Sequence, residues 1–83
     1  MTAGMLLKTV REKAGISQEK LARLLHRTQS CISKIEQDKK TLDVTTFVNW
    51  TKITNASEAG IAFLYGIDPA TIMQSVLQVT GAA

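Results

Sequence analysis

The run Ile16-Ser17-Gln18-Glu19-Lys20-Leu21-Ala22-Arg23-Leu24-Leu25-His26-Arg27-Thr28-Gln29-Ser30-Cys31-Ile32-Ser33-Lys34-Ile35-Glu36 holds two helix starts and one interruption. Ser17 is a good N-cap, because its short side chain can accept from a free amide of the first turn. Behind it Leu21, Leu24 and Leu25 recur at helical spacing. His26-Arg27-Thr28 breaks that pattern. Thr28 is placed to cap a further helix, with Ile32 and Ile35 on its buried edge.

Leu21, Ala22 and Leu25 share one face, and the small Ala22 lets another helix approach closely. A helix, a three-residue turn and a second helix packed across it make a helix-turn-helix. The later helix would expose Gln29, Ser30, Ser33, Lys34 and Gln37. These are short or flexible hydrogen-bonding side chains. They suit a DNA major groove, where base edges offer donors and acceptors.

Outward from this core the pattern stays helical. Leu6, Leu7, Val10 and Ala14 define a first helix that Gly15 stops, and residues 1–4 read as a loose terminus. Gln37-Asp38-Lys39-Lys40-Thr41 reads as a polar loop. Asp43 or Thr45 starts a fourth helix through Phe47, Val48 and Trp50 towards Ile53. Phe47 and Trp50 fall on helical spacing and read as core rather than as a base-stacking platform. Asn55-Ala56-Ser57 is the next break, with Ser57 as cap and Glu58 favourable in the first turn. Gly66 ends a fifth helix. Asp68-Pro69 starts a sixth, carrying Ile72, Met73, Val76, Leu77 and Val79. No alternating run or hairpin turn is present, so the expected fold is an all-α domain of five to six helices.

Composition narrows the function. The chain has 83 residues, enough for one domain with a small core, and 45% are apolar, which excludes a disordered tail. The longest apolar run, Ile61 to Tyr65, is five residues, far short of the roughly 20 that span a bilayer. No basic segment precedes an apolar core at the start, so no secretory signal is expected and the cytoplasm is the expected location. One cysteine, Cys31, and one histidine, His26, complete neither a disulfide nor a metal site. Cys31 reads as a small core filler and His26 as a turn residue. No histidine stands beside a nucleophile with an orienting third group, and no glycine-rich phosphate loop occurs, so neither catalysis nor a cofactor is expected.

The net charge of +3 is unevenly spread. Residues 1–42 carry nine Lys/Arg against four acids, whereas residues 43–83 carry Lys52 alone against three. A basic half beside an apolar, weakly acidic half fits a polyanion surface joined to a contact surface.

Residues 7–47 resemble the lambda-repressor-like helix-turn-helix family of phage repressors, restriction controllers and antitoxins. The likeness is carried by Ile16-Ser17-Gln18-Glu19-Lys20-Leu21-Ala22 and by Gln29-Ser30-Cys31-Ile32-Ser33-Lys34-Ile35-Glu36. It covers about half the chain, without gaps through both helices, and fades past about residue 55. The resemblance implies double-stranded DNA as partner. Gln29, Ser30 and Lys34, with Ser33, then read base edges. Gln18 meets a phosphate and braces Gln29. Arg23, Arg27, Thr28, Lys39 and Lys40 lie along the phosphates. The resemblance also pairs Arg11 with Glu36 as a buried link between the first and third helices. The chain departs from the family at four positions. His26 stands at the turn glycine, Arg27 at a usually apolar position, Asp38 at a frequent glycine and Leu42 at a common proline.

Residues 1–55 are therefore expected to form the DNA-binding part. Residues 56–83, with sixteen apolar residues and no Lys or Arg, complete the core and offer a contact surface. Ile61, Leu64, Tyr65, Ile72, Met73, Val76 and Leu77 are its expected contacts in a homodimer, which would present two recognition helices to a palindrome. The expected function is a homodimeric repressor of phage, plasmid or chromosomal type, working at the nucleoid. The alternative is an antitoxin that autoregulates by the same motif and binds a toxin through its C-terminal helices.

Overall fold

A computed structural model of the chain describes residues 2–66. They form α1 (Ala3–Lys13), α2 (Gln18–Leu24), α3 (Gln29–Glu36), α4 (Val44–Ile53) and α5 (Ser57–Tyr65), with no strand among the described residues. The fold is all-α. Side-chain oxygens of Thr2, Ser17 and Thr28 accept from Met5, Lys20 and Cys31 amides, closing the first turns of α1, α2 and α3.

Each of the five described helices leaves through a residue in the left-handed region: Gly15 (φ 72°), His26 (56°), Asp38 (59°), Asn55 (56°) and Gly66 (65°). At the first four exits two amides turn back onto the last turn. Ile16 donates to the Arg11 carbonyl and Gly15 to Glu12; Arg27 donates to Ala22 and His26 to Arg23. Lys39 donates to Lys34 and Asp38 to Ile35; Ala56 donates to Thr51 and Asn55 to Lys52. This double closure satisfies carbonyls that a helix end would leave free, and it fixes the exit angle. Asn and Asp tolerate this backbone better than most residues.

Trp50, Leu7, Leu21 and Ile32 are completely enclosed, and Ala22, Cys31, Ile35, Phe47 and Leu6 close around them. Each large side chain so buried stabilises the fold by about 1.5–3 kcal/mol. The Trp50 indole donates to the Leu7 carbonyl at 3.1 Å, tying α4 to α1 with no polar atom left bare. α5 lies close on α4: a Cβ at Gly60 would come within 2.7 Å of Thr51 Cγ2. Beside it the Phe47 and Phe63 rings sit 6.4 Å apart.

Three sequence expectations change. Residues 2–4 are not a loose terminus, because Thr2 caps α1 and Gly4 is buried; residue 1 lies outside the described residues. Asp38 explains this: its Oδ1 accepts from the Gly4 amide at 2.9 Å and its Oδ2 from the Thr2 hydroxyl at 2.6 Å. Ser57 is the first residue of α5, not its cap; Ala56 holds the cap position, without a side-chain hydrogen bond. Leu24 stays about half exposed, because it lies at the edge of the face that Leu21, Ala22 and Leu25 share. The sixth helix, with Ile72, Met73, Val76 and Leu77, lies outside the described residues.

Candidate nucleic-acid interface

The back of α3 is anchored. Cys31, Ile32 and Ile35 are in the core, and Glu36 is buried at the helix end. Arg11 Nε donates to Glu36 Oε2 at 2.6 Å and Arg11 Nη2 to Oε1 at 3.2 Å. The remaining arm of the guanidinium, Nη1, donates to the Ile16 carbonyl at 2.8 Å. This is the two-pronged geometry in which Arg binds carboxylate best. Gln18 adds a third bond, donating from Nε2 to Glu36 Oε1 at 2.9 Å. Gln18 therefore braces the end of α3 rather than Gln29 at its start. An anionic acceptor is the stronger attraction for an amide donor.

The front of α3 is open. Gln29, Ser30, Lys34 and Gln37 are exposed and Ser33 is half-buried. Gln37 Nε2 donates to Ser33 Oγ at 2.8 Å, so these two polar groups are joined in the free chain. Arg23, Lys39 and Lys40 are exposed on either side. Thr28 uses its hydroxyl oxygen to accept from the Cys31 amide at 3.1 Å.

Arg27 is turned towards α4. Its Nη2 donates to Thr46 Oγ1 at 3.2 Å and lies 3.8 Å from Asp43 Oδ1, with both charged side chains about half exposed. The Thr46 side chain, above all, holds the Asp43 carboxyl below the usual carboxylate range, and Arg27 adds to this in a smaller degree. Asp43 makes no side-chain cap bond of good geometry, although it stands at the cap position of α4. Sequence reasoning missed Thr46 and Asp43 as partners of Arg27. No local signal marks this pairing, because Arg27 and Thr46 are nineteen residues apart and meet only through the placement of α4.

Two short helices joined through Leu25–Thr28, the second with its polar face outward, define a helix-turn-helix protein, a class of DNA-binding regulators. A family model described as a helix-turn-helix domain matches residues 3–70, and the chain belongs to that family. The match is consistent with the Cro and lambda-repressor type, and it runs past residue 55, where the likeness in the sequence fades. No curated protein and no solved structure matches the chain. Among the described residues no helix is long and apolar enough to cross a membrane.

Proposed function

We propose that the chain is a sequence-specific transcriptional regulator of the cytoplasm that binds a palindromic operator as a homodimer and represses from it. The observation that carries this reading is the two-sidedness of α3: three bonds and the core fix its back, while Gln29, Ser30 and Lys34 stand free at its front. A fixed helix with free donors and acceptors can read bases without the cost of ordering the backbone on binding. Gln29 suits adenine N7 and N6, and Lys34 suits guanine O6 and N7. Ser30 and Ser33 offer shorter contacts. Gln18, Arg23, Thr28, Lys39 and Lys40 position the helix against phosphates, which add affinity without sequence information.

The apolar residues of α5 support pairing. Ile61, Leu64 and Tyr65 are about half exposed or more. Leu64 also lines a mostly apolar groove with Ala3, Leu42, Val44, Phe47 and Phe63, and Asp43 stands in the same lining. The same exposure fits the antitoxin reading, in which the occupant is a different protein. Selection of bound duplexes from a random pool tests the proposal. It should return a palindrome whose half-sites lie about 34 Å, one DNA turn, apart. A pool that enriches no sequence, or a single unrepeated half-site, would overturn the homodimeric operator reading.

A further inference from the structure

The two arginines that flank the motif are held very differently. Arg11 is buried and uses three nitrogens on Glu36 and the Ile16 carbonyl. Arg27 is about half exposed, makes one side-chain hydrogen bond, to Thr46, and meets Asp43 only at 3.8 Å. A guanidinium has five N–H donors, so Arg27 has most of its capacity unspent. Its backbone, by contrast, is fixed: the Arg27 amide donates to the Ala22 carbonyl at 2.8 Å. The side chain therefore swings from a rigid base directly before Thr28, the cap of α3.

The neighbouring acids differ in the same way. Glu36 is enclosed with Arg11 and Gln18, and Asp38 is taken by Thr2 and the Gly4 amide. Asp43 instead stands about half exposed at the start of α4 and faces the Arg27 guanidinium. An exposed pair of this kind shifts an equilibrium by no more than about fivefold. That is enough to retain a side chain and too little to keep it from a phosphate, which offers bidentate, charge-assisted bonds.

We propose that Asp43 is a positioning residue that holds Arg27 in reserve on α4 in the free chain. On a duplex Arg27 crosses to a phosphate beside the N-terminus of α3. Asp43 thus lowers affinity for any duplex by competing with phosphate for one cation, and it leaves base preference unchanged. The inference rests on the DNA-binding reading above. Asp43→Asn suits the test because asparagine is an equally good N-cap.

The test is a double-mutant cycle on a mixed-sequence DNA duplex, read by fluorescence anisotropy across a salt series. Asp43→Asn should tighten binding by up to about fivefold per protomer in the wild-type background. With Arg27→Gln, which keeps a donor for Thr46, the same change should have less than half that effect. Arg27→Gln alone should reduce the log–log salt slope by about 0.9 per protomer, as for one lost phosphate contact. If Asp43→Asn acts equally in both backgrounds, it relieves only general repulsion and the inference fails, while DNA binding stands. If the wild-type chain binds no duplex, the DNA reading fails and takes the inference with it.

Discussion

Arg11 and Glu36, twenty-five residues apart, meet at 2.6 Å in a buried ion pair that joins α1 to the last turn of α3. No buried nitrogen or oxygen of the pair lacks a partner, since Gln18 and the Ile16 carbonyl add a bond each. Removing one partner leaves the other charged and buried without its counter-charge. Glu36→Ala should therefore cost about 3–5 kcal/mol in a urea unfolding curve. Arg11→Met combined with Glu36→Leu should cost far less than either single loss of charge. Equal damage from the single and double variants would mean that packing, not charge, holds this corner.

Gly4 is where α1 touches the end of α3. A methyl group there would lie 2.5 Å from the Glu36 carbonyl oxygen and 2.6 Å from that of Ile35. Both obstacles are backbone and cannot rotate away. Gly4→Ala should destabilise the fold by about 1–3 kcal/mol, despite the better helix propensity of alanine. A thermal melt should show a drop of about 4–8 °C for each kcal/mol lost. An unchanged or raised midpoint would show that α1 can slide.

Base and phosphate contacts are separable. Gln29→Ala and Lys34→Ala should each lose about 1–3 kcal/mol of discrimination between the selected operator and its variants at the contacted position. Neither should alter the melting midpoint appreciably, since both side chains are exposed and neither makes a side-chain hydrogen bond among the described residues. Lys39→Ala and Lys40→Ala should weaken binding to all sequences alike and reduce the salt slope by about 1 each. Uniform weakening by the first pair would move base readout elsewhere.

Leu64 is 60% exposed on α5, so Leu64→Asp should leave the fold intact. Under the homodimer proposal it should give a monomer in sedimentation and a large loss of operator affinity. A dimer that survives the change would place the subunit contact outside α5.

The parts of the fold that were legible in the sequence were those decided locally. Ser17, Thr28 and Gly66 mark helix ends by chemistry that acts within a few residues, and all three do so. The start of α1 was not legible, because Ala3-Gly4 lacks an apolar period and its anchor, Asp38, is 34 residues away from Gly4. The brace made by Gln18 was not legible either: the resemblance pointed to Gln29, but packing brings the Glu36 carboxylate within reach. The open face of α3 was visible as a polar stripe. The arrest of Arg27 by Thr46 and Asp43 was not, since it depends on where α4 comes to rest.

The five left-handed helix exits give the domain a mechanical character. Only two of them are glycines, and four are locked by paired amide bonds. Opening the angle between α2 and α3 means breaking the two bonds that close that turn, Arg27 to the Ala22 carbonyl and His26 to the Arg23 carbonyl. Under the DNA-binding proposal, control beyond the Asp43–Arg27 contact then belongs to quantity and company: how many chains are present, and what meets the exposed apolar residues of α5.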